Sequence, residues 1–301
     1  MGDSSSIKSA DYKFPVMMQN SRGLNFGGPT LPYVHAVGGS TSATVLSGMQ
    51  PQHVIKDVQA GEVTVVTLEI GNNDYGQNIV QLLQDTPQQL TAFENSVISN
   101  IELATTEVLN SGIQGFLLGS VPSLLVEPAA APYIPLVPPA VLATLDASQQ
   151  RVNAALEAFA DSKHIPFVDF YGLEKSFNGA DHITVGGVPI SLTGMSTTDN
   201  HYFFVDKLHP GWVGNAILSN MWMTALNVAY GTHLTLFSDQ EALNMAGLSG
   251  YTGPTFTGVV NYADFIHFTP VPEPSSFVLL GVGVVALAAF RRRASPRIAK
   301  Q

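Results

Sequence analysis

Four short runs in this sequence carry side chains suited to acyl transfer: Gly2-Asp3-Ser4, Gly38-Gly39-Ser40-Thr41-Ser42, Gly71-Asn72-Asn73-Asp74 and Asp206-Lys207-Leu208-His209-Pro210. That chemistry needs a nucleophile, a base, a group that orients the base, and donors for the developing oxyanion. Ser4 offers a hydroxyl, which is a poor nucleophile until a base takes its proton, and an imidazole is the suitable base near neutral pH. His209 supplies one. Asp206, three residues earlier, can accept from the other ring nitrogen, fixing the tautomer and stabilising the imidazolium. Each run also has a plainer reading. Gly-Asp-Ser and Gly-Asn-Asn-Asp are ordinary turn sequences, because Asn and Asp tolerate the left-handed conformation. Asp-X-X-His occurs at Asp161/His164, Asp206/His209 and Asp264/His267, so the pattern alone does not choose.

Composition removes several classes. Charged residues are 12% of the 301, with a formal net charge of −10, which leaves no basic footprint for nucleic acid. There is no cysteine, which excludes disulfides, thiol catalysis and thiolate metal sites. His35, His53, His182, His201 and His233 have no partner at metal-ligand spacing, so neither a metal nor another cofactor is expected. With 45% hydrophobic residues, the chain can bury a sizeable core in one large domain with appendages.

The elements that must position these groups follow from periodicity. Residues 63–70 (VTVVTLEI) form a β-branched run of strand length that ends at Gly71, and residues 33–37 are strand-like. Phe93, Val97, Ile101, Ala104 and Val108 recur at helical spacing within residues 88–110. Residues 115–121 (GFLLGSV) are a further apolar run. Val141, Leu145, Val152, Leu156 and Phe159 mark a second amphipathic helix, residues 165–170 (IPFVDF) the next strand, and residues 214–230 a last helix. Apolar strands alternating with helices predict an α/β fold, a three-layer α/β/α sandwich around a parallel sheet. Residues 172–201 and 231–269, rich in Gly and Thr, fall outside this rhythm. In such sheets ligands bind beyond the carboxyl ends of the strands. Of the three Asp-X-X-His pairs, only Asp206/His209 lies on a loop before the last helix.

The end of the chain reads separately. Val271-Pro272-Glu273-Pro274 precedes an apolar run over residues 277–290, and Arg291-Arg292-Arg293 follows at once. Fourteen helical residues span about 21 Å, less than the roughly 30 Å of a hydrocarbon core. The arginine triplet is the flank of a cytoplasmic anchor. This order resembles the PEP-CTERM sorting signal of exopolysaccharide-producing Gram-negative bacteria. That resemblance implies export, anchoring in the membrane and cleavage near Pro272–Pro274 by an exosortase.

Taken in order, the four runs over residues 2 to about 228 resemble the blocks of SGNH (GDSL-type) hydrolases: Gly-Asp-Ser, a glycine loop, Gly-X-Asn-Asp and Asp-X-X-His. The resemblance implies a flavodoxin-like sheet and a serine esterase. It further implies an oxyanion held by the Ser4 backbone N–H, the Gly39 backbone N–H and the Asn73 side-chain amide. No Gly-X-Ser-X-Gly elbow is present, which disfavours an ordinary α/β-hydrolase. The expected layout is a hydrolase domain over 1–230, an extension or spacer over 231–270, the sorting signal over 271–293 and a basic tail over 294–301. The expected substrate is a polysaccharide acetyl or lipid acyl ester. A binding protein that keeps the scaffold without turnover is the alternative, and an acyltransferase using the same serine is a third reading. Serine at position 5 replaces the more usual leucine of the first block. Only Met1 precedes Gly2, where the family has an apolar strand, so a strand and a signal peptide encoded upstream are expected.

Overall fold

The structure, a computed structural model, describes residues 14–27, 31–176, 183–195, 200–203, 207–255 and 260–270. The described residues up to 268 belong to one compact unit. Three strands run parallel at its centre: β1 (Val65–Leu68), β2 (Gly115–Gly119) and β3 (Phe167–Val168). The register pairs Val65 with Gly115 and Leu68 with Leu118, then Leu118 with Phe167 and Gly119 with Val168. A fourth strand, β7 (Ile266–His267), pairs antiparallel with β3, so the sheet is mixed where a parallel one was expected. The 231–269 stretch that broke the sequence rhythm thus supplies an edge strand as well as helix α9 (Asp239–Met245).

Helices cover both faces of this sheet, and its residues alternate between two cores. Phe116, Leu118 and Phe167 face one cluster, with Val97 and Ile101 of α5 (Pro87–Leu109) and Val152 and Leu156 of α6 (Pro139–Lys163). Leu117 and Val168 face the other, with Ile217, Met221 and Trp222 of α8 (Trp212–Tyr230) and Met17 and Met18 of α1 (Phe14–Arg22). The period of two along a strand dictates this division. Local signals start the long helices. Thr86 and Gln89 form a reciprocal capping box ahead of α5, Pro87 occupies its first turn, and α6 also opens on a proline.

Other elements were less legible. Residues 33–37 form no strand; they run as a loop into the glycine segment. Gly71-Asn72-Asn73-Asp74 is the start of a helix, α4 (Asn72–Leu82), as well as a turn. Helices α2 (Ser42–Ser47) and α3 (Gln50–Gln59) precede β1. The apolar run at 165–170 yields a two-residue β3, after which α7 (Phe170–Ser176) begins. Three further strands, β4 (Ile183–Val185), β5 (Val188–Met195) and β6 (His201–Phe203), form a second sheet from the other irregular stretch. Among the described residues β1 has one ladder partner, β2, and residues 63–70 line a cavity of about 1220 Å³.

Leu156 is fully buried between α6 and the sheet, whereas Leu103 on α5 is half exposed. Leu156→Ala should destabilise the fold by about 2–5 kcal/mol in urea unfolding, and Leu103→Ala by no more than about 0.5 kcal/mol. Equal effects would contradict the placement of α6.

Candidate active site

Parallel pairing sends the chain out of β1, β2 and β3 on the same edge, and the polar loops gather there. Gly71 makes the turn from β1 into α4 at φ +120°, and a Cβ at this position would lie 2.5 Å from Val121 Cγ2. Only glycine satisfies both constraints. The turn places Asn73 in the first helical turn of α4, half-buried, with its Nδ2 donating to the Ser40 carbonyl at 3.0 Å. A side-chain amide carries two N–H bonds, so one remains for a second acceptor. Gln77, one turn on, donates to the Gly39 carbonyl at 2.8 Å. Gly39 is exposed and left-handed at φ +80°.

A chain of hydrogen bonds continues around the rim. Asn72 Nδ2 donates to Glu127 Oε1 at 2.7 Å, tying α4 to the loop after β2. That loop cannot use ladder partners, and buried side chains replace them. Asn153 accepts from the Val121 N–H and donates to its carbonyl, while Gln149 donates to the Pro122 carbonyl. Glu174 accepts from the Ser123 N–H at 2.8 Å, and burial pushes its carboxyl well above the usual carboxylate range. The same loop reaches the His209 segment, where the Ala129 N–H donates to the Lys207 carbonyl at 3.2 Å. His209 is half-buried just before Pro210, whose carbonyl accepts from Asn215 Nδ2 in the first turn of α8.

Gly39, Asn73 and His209 therefore line one cavity, the 1220 Å³ space beside β1, whose walls also include Leu124, Leu125, Ile134 and Leu142. Ser4 and Asp206 lie outside the described residues, as do the 271–293 segment and the 294–301 tail. The other two Asp-X-X-His histidines sit elsewhere. His164 caps the C-terminus of α6 in the left-handed region at φ 55°, and His267 lies on β7, 2.7 Å from Glu157 Oε1. Asp74 is a further rim residue, one for which the short runs imply no role. It is buried, and it accepts from both the backbone and the hydroxyl of Ser42.

The profile of the GDSL-like Lipase/Acylhydrolase family matches residues 1–217, and the chain belongs to that family. A PEP-CTERM protein-sorting motif matches residues 270–293. No curated protein and no solved structure matches the chain. Family membership supports hydrolysis of ester bonds. The sorting motif indicates export and sorting to the cell envelope of a Gram-negative bacterium by an exosortase. No helix among the described residues is long and apolar enough to cross a membrane, and the apolar run at 277–290 lies outside them.

Proposed function

We propose that this chain is an exported serine esterase acting on carboxylic esters, either acetyl groups of a polysaccharide or acyl groups of a lipid. The observation that carries the reading is that Gly39, Asn73 and His209 all line one cavity, which runs along β1 and past its carboxyl end. In this reading His209 takes the proton of Ser4 as Oγ adds to the ester carbonyl carbon, and Asp206 holds the imidazole in the required tautomer. The carbonyl oxygen becomes an oxyanion held by the Ser4 N–H, the Gly39 N–H and the second N–H of Asn73. Collapse breaks the bond to the alcohol, which leaves with the proton from His209. Water, deprotonated by the same imidazole, then releases the acid and restores Ser4. The 231–270 segment, which supplies α9 and the edge strand β7, leads on to the sorting signal. The run at 277–290 would anchor the chain in the membrane, with Arg291–Arg293 on the cytoplasmic side, until cleavage near Pro272–Pro274.

Turnover of a short p-nitrophenyl ester by the full chain tests the catalytic roles. Ser4→Ala and His209→Ala should each cost orders of magnitude in kcat, because nucleophile and base act as a unit, while His164→Ala and His267→Ala leave rates nearly unchanged. Asn73→Ala should lower kcat about 10²–10³-fold with little change in KM. Full turnover by Ser4→Ala would refute the assignment, and no turnover by the parent would favour a binding protein. A second measurement concerns sorting. Intact mass spectrometry of surface protein from an exosortase-bearing host should show a chain ending near Pro272–Pro274, and retention of Arg291–Arg293 would contradict cleavage.

A further inference from the structure

Among the described residues Asp74 is one of four buried carboxylates, with 6% exposure, and the acyl-transfer steps give it no task. Its two oxygens serve a single residue. The Ser42 N–H donates to Oδ2 at 2.8 Å and the Ser42 hydroxyl to Oδ1 at 2.7 Å. Asn100 of α5 donates to the Ser42 hydroxyl oxygen at 3.2 Å, so that hydroxyl both donates and accepts within the site. Ser42 opens α2, three residues after Gly39, so the carboxylate grips the far end of the glycine segment.

The near end is held from the same helix. Asn73 donates to the Ser40 carbonyl and Gln77 to the Gly39 carbonyl, while Gln50 of α3 donates to Ser40 Oγ at 2.9 Å. All of these ties are neutral except the pair on Asp74. Hydrogen bonds to an ionised group are roughly twice as strong as neutral ones. Packing does not hold Gly39: a Cβ built there would meet nothing within 4 Å. Its conformation depends on the bonds that pin its flanks. Burial pushes the Asp74 carboxyl above the usual carboxylate range, while the two Ser42 donors pull it back. The site thus bears a desolvation cost to keep an acidic group there.

We propose that Asp74 is a positioning residue that clamps residues 39–42 through Ser42, and so sets the spacing between the Gly39 N–H and the Asn73 amide. The clamp fixes the width of the oxyanion site before substrate arrives. It rests on the esterase reading for its effect on rate, but the clamp itself is a property of the glycine segment. A small misplacement of a catalytic donor can cost about 10²-fold in rate, which sets the expected size of the effect.

The experiment compares the full parent chain with Asp74→Ala and Asp74→Asn on p-nitrophenyl acetate. Asp74→Ala should lower kcat about 10²-fold with KM within about twofold, the split expected for donors used in the transition state. Asp74→Asn should stay within about tenfold of the parent, since its amide oxygen still accepts from the Ser42 N–H and its NH₂ donates to Ser42 Oγ. In an Asn73→Ala background, Asp74→Ala should cost less than about threefold, because the geometry it sets has already lost a member. A folded Asp74→Ala with parental kcat, or a full 10²-fold loss in both backgrounds, would overturn the clamp. If Asp74→Ala fails to fold by circular dichroism, Ser42→Ala replaces it, with an expected loss of about tenfold, and an unchanged kcat overturns the proposal. If the parent hydrolyses no ester, the functional reading fails, and NMR order parameters decide the clamp. Gly39 should then fall from about 0.85 in the parent to below about 0.6 in Asp74→Ala or, failing that, Ser42→Ala. Equal values would overturn it.

Discussion

The parallel pairing of β1 with β2, in the register that sets Val65 beside Gly115 and Leu68 beside Leu118, is the constraint on which the rest of the molecule depends. Two strands that run the same way cannot be joined by a tight turn, so the chain must return across a face of the sheet, here along α4 and α5. The return buries Val97, Ile101 and Val108 against Phe116 and Leu118. It also delivers the segment after each strand to one edge. The rim of the candidate site is a by-product of that topology: Gly71 and Asn73 follow β1, Val121 and Glu127 follow β2, and a network of side chains binds them.

This arrangement carries a cost at the edge. Backbone groups beyond the last ladder bond must find other partners, and buried Asn153, Gln149 and Glu174 provide them. The same side chains tie the segments of the rim to the helices behind them. At the far side of the sheet β7 pairs with β3 and closes an edge that would otherwise expose its amides. On the β1 side the strand faces the large cavity, and the apolar residues there are exposed or half-buried, unlike those of β2.

The sequence announced the elements whose pattern is long. Helices α5 and α6 repeat an apolar face over several turns, α8 is dense in apolar residues, and residues 63–70 and 115–121 are dense in strand-forming side chains. It misled where chemistry is shared between structures. Asn-Asn-Asp suits a turn and equally the first turn of a helix, so α4 was hidden behind its own start. Tyr33-Val34-His35-Ala36-Val37 has strand composition, but composition cannot supply a neighbour to pair with. The antiparallel β7 was invisible because two residues carry no period. Gly39, Asn73 and His209 were named from short runs in a fixed order, and all three line the cavity beside β1. Asp74 with Ser42 was not found. The two residues are far apart in sequence, and only the folded glycine segment makes one the partner of the other.

The central claim is that this rim activates one serine for attack on an acyl carbon. A fluorophosphonate probe phosphorylates only a serine that is already activated, so labelling of the full chain followed by peptide mass spectrometry reads the claim directly. A single modified peptide carrying the probe on Ser4 is expected, with labelling lost in His209→Ala. A label on any other serine, or none on a folded chain, would contradict it.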